Sequence, residues 1–207
     1  IEKLKFDLVY TCVPNEWVNY VYPKNRFPFC EFKNTLTGYF SEDNNEELYS
    51  LPLENRKVTI GYRGRILPYH YGKLGREKYE IGIKVKDLAQ QHNVSTDIEV
   101  DDKLRIYGEE WFEFLGNTKA MLGTESGSNV FDFCGNIKKS VSSILENEPS
   151  TSFEEVYNKS IRKFEGPVEM NQISPKVFEA IKMKTALVLF EGKYSDIIQP
   201  DIHYISL

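Results

Sequence analysis

Apolar residues fall at two spacings along this chain, and the alternation between those spacings predicts its architecture. From residue 56 onward, short apolar or β-branched runs alternate with longer stretches whose apolar positions recur every three to four residues. Val58 to Tyr62 predicts a buried strand, and Leu74, Ile81, Val85 and Leu88 place one apolar face on the helix that follows. Thr96 to Val100 predicts a second strand, a helix runs through Trp111, Leu115 and Thr118, and Ala120 to Gly123 predicts a third strand. Ile137, Val141, Ile144 and Leu145 give one helical stripe, and Phe153, Val156, Tyr157, Ile161 and Phe164 give another. These two helices read as an insertion, and Ser152 with Glu155 has the spacing of a capping box. A helix around Val177 to Ile181 then feeds the strand Ala186 to Phe190, and Tyr204 to Leu207 has a strand pattern. Strands alternating with helices predict an α/β chain, a Rossmann-like parallel sheet with helices on both faces.

Residues 1–55 are different: aromatic-rich and irregular, with a strand at Phe6 to Tyr10 followed by loops punctuated by Pro14, Pro23 and Pro28. The acidic stretch Ser41 to Glu47 has little to bury, which suits a linker or an exposed loop. The expected division is therefore 1–55 as the end of a preceding domain with its crossover, and 56–207 as a Rossmann-like domain truncated at its C-terminus. A first residue that is Ile, and a last segment that stops in a strand, read as a fragment of a longer protein.

Charge narrows the partners. Lys and Arg total 26 against 31 Asp and Glu, a net charge of −5, which argues against a general nucleic-acid coat while leaving local clusters able to grip a phosphate. Cys12, Cys30 and Cys134 are widely spaced and far in sequence from His70, His92 and His203. Neither a close-ligand zinc site nor a disulfide framework is expected, and reduced thiols in a cytoplasmic protein are. No apolar run approaches the ~18 residues of a membrane span, so no integral membrane segment is expected.

In a sheet of this kind, ligands bind beyond the carboxyl ends of the strands, which singles out three loops. The first, Gly61 to Arg76, is glycine-rich and carries Arg63, Arg65, Lys73 and Arg76. Its backbone N–H groups, with Gly64 at their centre, and its forked guanidinium groups suit a diphosphate. It contains neither GxGxxG nor GxxxxGK[ST], which counts against a nicotinamide-dependent enzyme and a P-loop. The ordinary alternative is that these cations are solvated or pair with nearby acids. The second loop, Gly123 to Asn129, offers Glu125, Ser126 and Gly127 directly after a strand, where small residues let a ligand approach the backbone. It lacks the GxSxG elbow of a serine hydrolase. The third, Asn171 to Glu179, places Ser174 before Pro175 as an N-cap before N1, and puts Glu179 in the first or second turn of the helix. A carboxylate there can accept hydrogen bonds from a ribose diol, or simply be favoured by the helix dipole. Asp101 with Asp102 reads as a solvated turn, Asp132 lacks DxD spacing, and Trp111, Phe112 and Phe114 read as core.

These loops resemble those of two-domain GT-B glycosyltransferases, specifically the CgeB-like, spore-maturation group. The segments that carry the resemblance are GYRGRILPYHYGKLGREKYEIG, YGEEWFEFLGNTKAMLGTESGSNVFDF and MNQISPKVFEAIKMKTALVLFEGKYSDIIQPDIHYISL, with S-P-K-V-F-E-A the most informative run. FDLVYTC and NTLTGYF resemble the end of the preceding acceptor-side domain. The resemblance implies a glycosyltransferase with no bound cofactor: a nucleotide-diphosphate sugar is its co-substrate, a saccharide or other hydroxyl compound its acceptor. Glu179 matches the glutamate expected on the ribose. Arg65 and Lys73 match the basic pair expected on the diphosphate, with Arg63 or Lys78 as substitutes. Two positions depart from the pattern: Asn171 stands where many retaining members have Glu, and Lys182-Met183-Lys184 replaces a small-residue stretch. They leave open the alternative of a non-catalytic, nucleotide-binding or regulatory domain. Without DxD, the expectation is a metal-independent transfer whose leaving group is stabilised by Arg, Lys and helix N-termini.

Overall fold

A computed structural model describes Ile1, residues 3–39 and residues 48–207. The expected linker at Ser41 to Glu47 lies outside the described residues. Near the N-terminus, β1 (Leu8–Thr11) and β2 (Glu31–Asn34) pair in parallel, joined by the helix α1 (Asn15–Val21). The strand thus begins two residues later than its apolar pattern suggests, and the Pro14 region is a helix start rather than a loop. Helix α1 buries none of its residues, so it leaves no apolar stripe to read. Tyr22 stacks on Phe32 at 4.5 Å between ring centroids, with Phe27 edge-on to both.

The main sheet holds five parallel strands: β3 (Val58–Arg63), β4 (Thr96–Glu99), β5 (Thr118–Gly123), β6 (Ala186–Leu189) and β7 (Ile205–Ser206), in the order β4-β3-β5-β6-β7. Alternation along the strands sends neighbouring residues to opposite layers. Leu122 faces the long helix α2 (Gly72–Gln91), where it packs with Ile81, Tyr62 and Ile98. Met121, Leu187 and Leu189 face α3 (Glu109–Gly116) and α6 (Pro175–Lys182), meeting Trp111, Phe114, Leu115, Val177 and Phe178. Helices therefore cover both faces, the Rossmann-like α/β arrangement that the pattern predicts. Leu88 is half-exposed near the end of α2 and does not join that core.

Thr118 opens β5 instead of extending the preceding helix. Gly116 ends α3, Asn117 caps it, and the Thr118 hydroxyl donates to the Phe114 carbonyl at 2.7 Å. The insertion forms its own core between α4 (Asn136–Asn147) and α5 (Phe153–Val156), which widens into a π-turn over Tyr157–Ile161. Its capping box is present: Ser152 Oγ accepts from the Glu155 N–H, and Glu155 accepts from the Ser152 N–H. The predicted stripe ends at Ile161, because Phe164 is 40% exposed.

Arg56 fixes the approach to the main sheet. Its buried guanidinium donates to the carbonyls of Leu51, Thr118 and Met183 and to the hydroxyls of Ser50 and Thr185. From there the chain enters β3, the second strand of the sheet, leaves it toward β4 on one side, and returns as β5 on the other. That reversal opens a crevice beyond the carboxyl ends of β3 and β5.

Candidate functional site

The crevice is a cleft of about 170 Å³ lined by Gly64 and Arg65 after β3, by Thr124 and Ser126 after β5, and by Lys78, Arg105, Ser174 and Lys176. Four cations and no carboxylate share its walls. Gly64 is required there, since a Cβ at this position would lie 2.5 Å from the Tyr62 ring and 2.9 Å from the Lys78 carbonyl oxygen.

The two lysines have structural reasons to face inward. Lys78, on α2, donates through Nζ to the Glu125 carbonyl and reaches Thr124 Oγ1 at 3.5 Å. Lys176 occupies the second position of α6 and donates to the Arg63 carbonyl, with its Nζ 5.9 Å from the Tyr62 ring centroid and 5.5 Å from that of Trp111. Burial pushes the Lys78 ammonium down to about 8, helped by Arg65 and opposed by Glu77 and Glu125. Burial likewise pushes Lys176 down to about 8, with repulsion from Lys78, Arg105 and Arg65 added and Glu179 opposing. Two lysines held against their own charge beside two arginines make a site that favours a multiply charged anion. Ser174 is the N-cap of α6 and Pro175 its first residue, as the sequence indicates, but the Ser174 side chain makes no capping bond. The first turn of α6 thus opens onto the cleft.

A second hollow, of about 380 Å³, shares Arg105, Ser174 and Lys176 with the first and extends along Arg63, Tyr107, Gly108, Trp111, Phe112 and Glu179. Glu179 Oε2 accepts from Trp111 Nε1 at 2.8 Å, which orients the carboxylate against an aromatic wall. Arg105 lies over the Tyr107 ring at 5.0 Å. Arg65 and Glu179 therefore stand in adjoining hollows with three walls in common.

Other candidates from the sequence lie elsewhere. Arg63 is paired with Asp97 at 2.8 Å and lies over the Phe114 ring at 4.4 Å, so it reaches only the edge of the second hollow. Lys73 does not line the cationic cleft. Its N–H donates to Glu165 Oε1 at 2.8 Å and its ammonium sits over the Tyr157 ring, in a third hollow. Lys78 occupies the cleft in its place. Arg76 pairs with Glu80. Glu125 turns its side chain away from the cleft: it is buried, and Oε1 accepts the N–H groups of Lys193 and Tyr194 at 2.8 Å each, while Oε2 accepts from the Asn171 amide. The carboxylate thereby holds a run of left-handed residues at Tyr194, Ser195 and Asp196 (φ 47°, 56° and 59°). Ser126 is tied through its backbone to Gln172, and Gly127, at φ 99°, lines neither the cationic cleft nor its neighbour.

Sequence reasoning missed Arg105 and Lys176. Both had a legible signal: Lys176 follows the Ser-Pro cap by one residue, and Arg105 lies in the loop after β4, on the same edge of the sheet. Asp132 accepts the Lys138 N–H at 2.8 Å at the start of α4, and Asp101 caps a short turn through the Lys103 N–H, so neither is a ligand candidate. Among the described residues no group of three or more His, Cys, Asp and Glu is arranged to hold a metal ion, and no helix is long and apolar enough to cross a membrane. No family model, curated protein or solved structure matches the chain.

Proposed function

We propose that this chain carries the donor site of a glycosyltransferase that uses a nucleotide-diphosphate sugar. The observation that supports this reading most is the convergence of Arg65, Lys78, Arg105 and Lys176 on one cleft at the strand-order reversal, beside a hollow containing Glu179. The diphosphate would lie among the four cations and the first turn of α6. The nucleoside would lie along Tyr107 and Trp111, with its ribose hydroxyls on Glu179. Breaking the bond between sugar and diphosphate builds negative charge on the leaving group, and charges already in place stabilise it without reorganising. The acceptor is a saccharide or another hydroxyl compound.

A non-catalytic nucleotide-binding domain would use the same cleft. That second reading is favoured by Asn171, whose amide is occupied with Glu125 and Asn129 where a transferase of the retaining type would place a carboxylate. The donor half alone is expected to bind nucleoside diphosphates without turnover, so incubation of the protein together with its acceptor-side domain and a panel of UDP-, GDP-, ADP-, TDP- and CDP-sugars separates the two. Release of nucleoside diphosphate that disappears in Arg65→Ala supports transfer chemistry. Binding of nucleoside diphosphates with no release from any sugar nucleotide supports the non-catalytic domain.

A further inference from the structure

Glu125 is 5% exposed, and among the described residues the partners of its carboxylate are all donors: the N–H groups of Lys193 and Tyr194 at Oε1, and the Asn171 amide at Oε2. The direction of that last bond is fixed from the far end of a short chain. The Met170 N–H donates to Asn129 Oδ1, Asn129 Nδ2 donates to Asn171 Oδ1, and Asn171 is left with its amide N–H to offer residue 125. Three donors on one buried side chain require a group that accepts and never donates, which is a carboxylate. Gly192 makes room for it, since a Cβ there would lie 2.5 Å from Glu125 Cδ. The amide at position 171, a departure from the pattern of retaining transferases, is thus the complement of Glu125.

The same residue reaches the cleft through its main chain. The Glu125 carbonyl accepts from the Lys78 ammonium, and Thr124 and Ser126, on either side of it, line the cleft. The loop that the carboxylate holds reaches α6 as well. Ser195 Oγ accepts the Ile173 N–H at 3.1 Å, and the Ser195 N–H donates to the Asn171 carbonyl at 3.0 Å, directly ahead of Ser174, Pro175 and Lys176. Tyr194, Ser195 and Asp196 are left-handed non-glycine residues, a conformation that persists only where its surroundings hold it.

From these contacts we infer that Glu125 is a positioning residue for the cationic cleft, an assignment that rests on the donor-site reading. Its carboxylate locks the turn after β5 to the loops before α6 and after β6, and its carbonyl thereby sets the Lys78 ammonium against the diphosphate. Glu125 acts through Lys78 and makes no contact of its own with the anion.

The test uses the whole chain, with inorganic pyrophosphate as the calorimetric probe and urea denaturation as the measure of folding. Glu125→Gln keeps the shape but turns an N–H toward the Asn171 amide, and is expected to weaken pyrophosphate binding by ~10-fold or more. Asn171→Asp sets a second carboxylate against the first and is expected to do the same. In the double variant Glu125→Gln/Asn171→Asp the donor and the acceptor change places, and affinity is expected to return to within ~3-fold of wild type. Lys78→Met is expected to cost ~10-fold in the wild-type chain and less than ~3-fold in the Glu125→Gln background, where the ammonium is no longer held in place. A purely structural role would lower stability and leave the two Lys78→Met losses equal. Wild-type affinity in folded Glu125→Gln, no recovery in the double variant, or equal Lys78→Met losses in both backgrounds overturns the assignment. If Glu125→Gln fails to fold, recovery or its absence between Asn171→Asp and the double variant decides. A wild-type chain that binds no pyrophosphate overturns the donor-site reading, and this inference with it.

Discussion

Lys176 shows what gathering cations in one cleft costs the fold. Its ammonium titrates near 8, against roughly 10.4 in an unfolded chain, so the native state disfavours the charged form. The unfolded chain binds the proton that the native chain sheds between those values. Stability therefore rises with pH across that window, and is lowest where Lys176 must be charged. Lys176→Met is expected to raise the melting temperature at pH 7, with the gain fading above pH ~10, and to weaken pyrophosphate binding by ~10-fold or more. Calorimetric scans over pH, with pyrophosphate titrations of both proteins, check this. Glu77 has the opposite sign. Its carboxyl is raised to about 7 from an unfolded value near ~4.3, so stability is lost as pH climbs through that interval. Glu77→Gln is expected to match the wild-type melting temperature near pH 4 and to exceed it at pH 8.

At the scale of elements, the apolar pattern carried the sheet. The strands containing Ile60, Leu122 and Val188 are legible because helices cover both faces of the sheet there, which leaves apolar runs with little alternation. Helix α1 and β2 are illegible for the opposite reason: α1 buries none of its residues and β2 is mostly exposed. The exchange of Lys78 for Lys73 has its own geometry. Five residues of helix separate them, which turns their side chains by ~140° about the axis. The short turn at Tyr69–Tyr71 sets the start of α2, and so decides which of the two faces the cleft. A glycine-rich loop in the sequence does not fix that rotation. Arg56 is a second feature that sequence pattern hides, because a buried arginine looks like any other charged residue. Arg56→Met removes the donor that the Thr118 carbonyl accepts from and one of two that the Met183 carbonyl accepts from, and is expected to cost about 1–3 kcal/mol in urea denaturation.

Across the whole molecule, the candidate site is assembled from four loops at one edge of the sheet. The general rule that ligands gather at the carboxyl ends of parallel strands located that edge from sequence, through Arg65, Ser174 and Glu179. It did not identify which neighbours close the cleft, since Lys78, Arg105 and Lys176 come from three different elements and meet only through the strand order β4-β3-β5-β6-β7. It also overvalued Glu125, whose burial binds it to the loop after β6. Four cations in one cleft imply binding that weakens steeply with salt. Nucleoside diphosphate affinity is expected to fall severalfold between roughly 50 and 200 mM salt, as counterion screening competes with the phosphates.

The central claim, that these cations hold a diphosphate, is tested most directly by calorimetric titration of the chain with UDP, GDP, ADP, TDP, CDP and pyrophosphate, alongside Arg65→Ala. The account predicts saturable binding of pyrophosphate and at least one nucleoside diphosphate, with proton uptake near pH 8 as Lys78 and Lys176 become charged, and marked weakening in the variant. Absence of binding across the whole panel at millimolar ligand, or equal binding by Arg65→Ala, would contradict it.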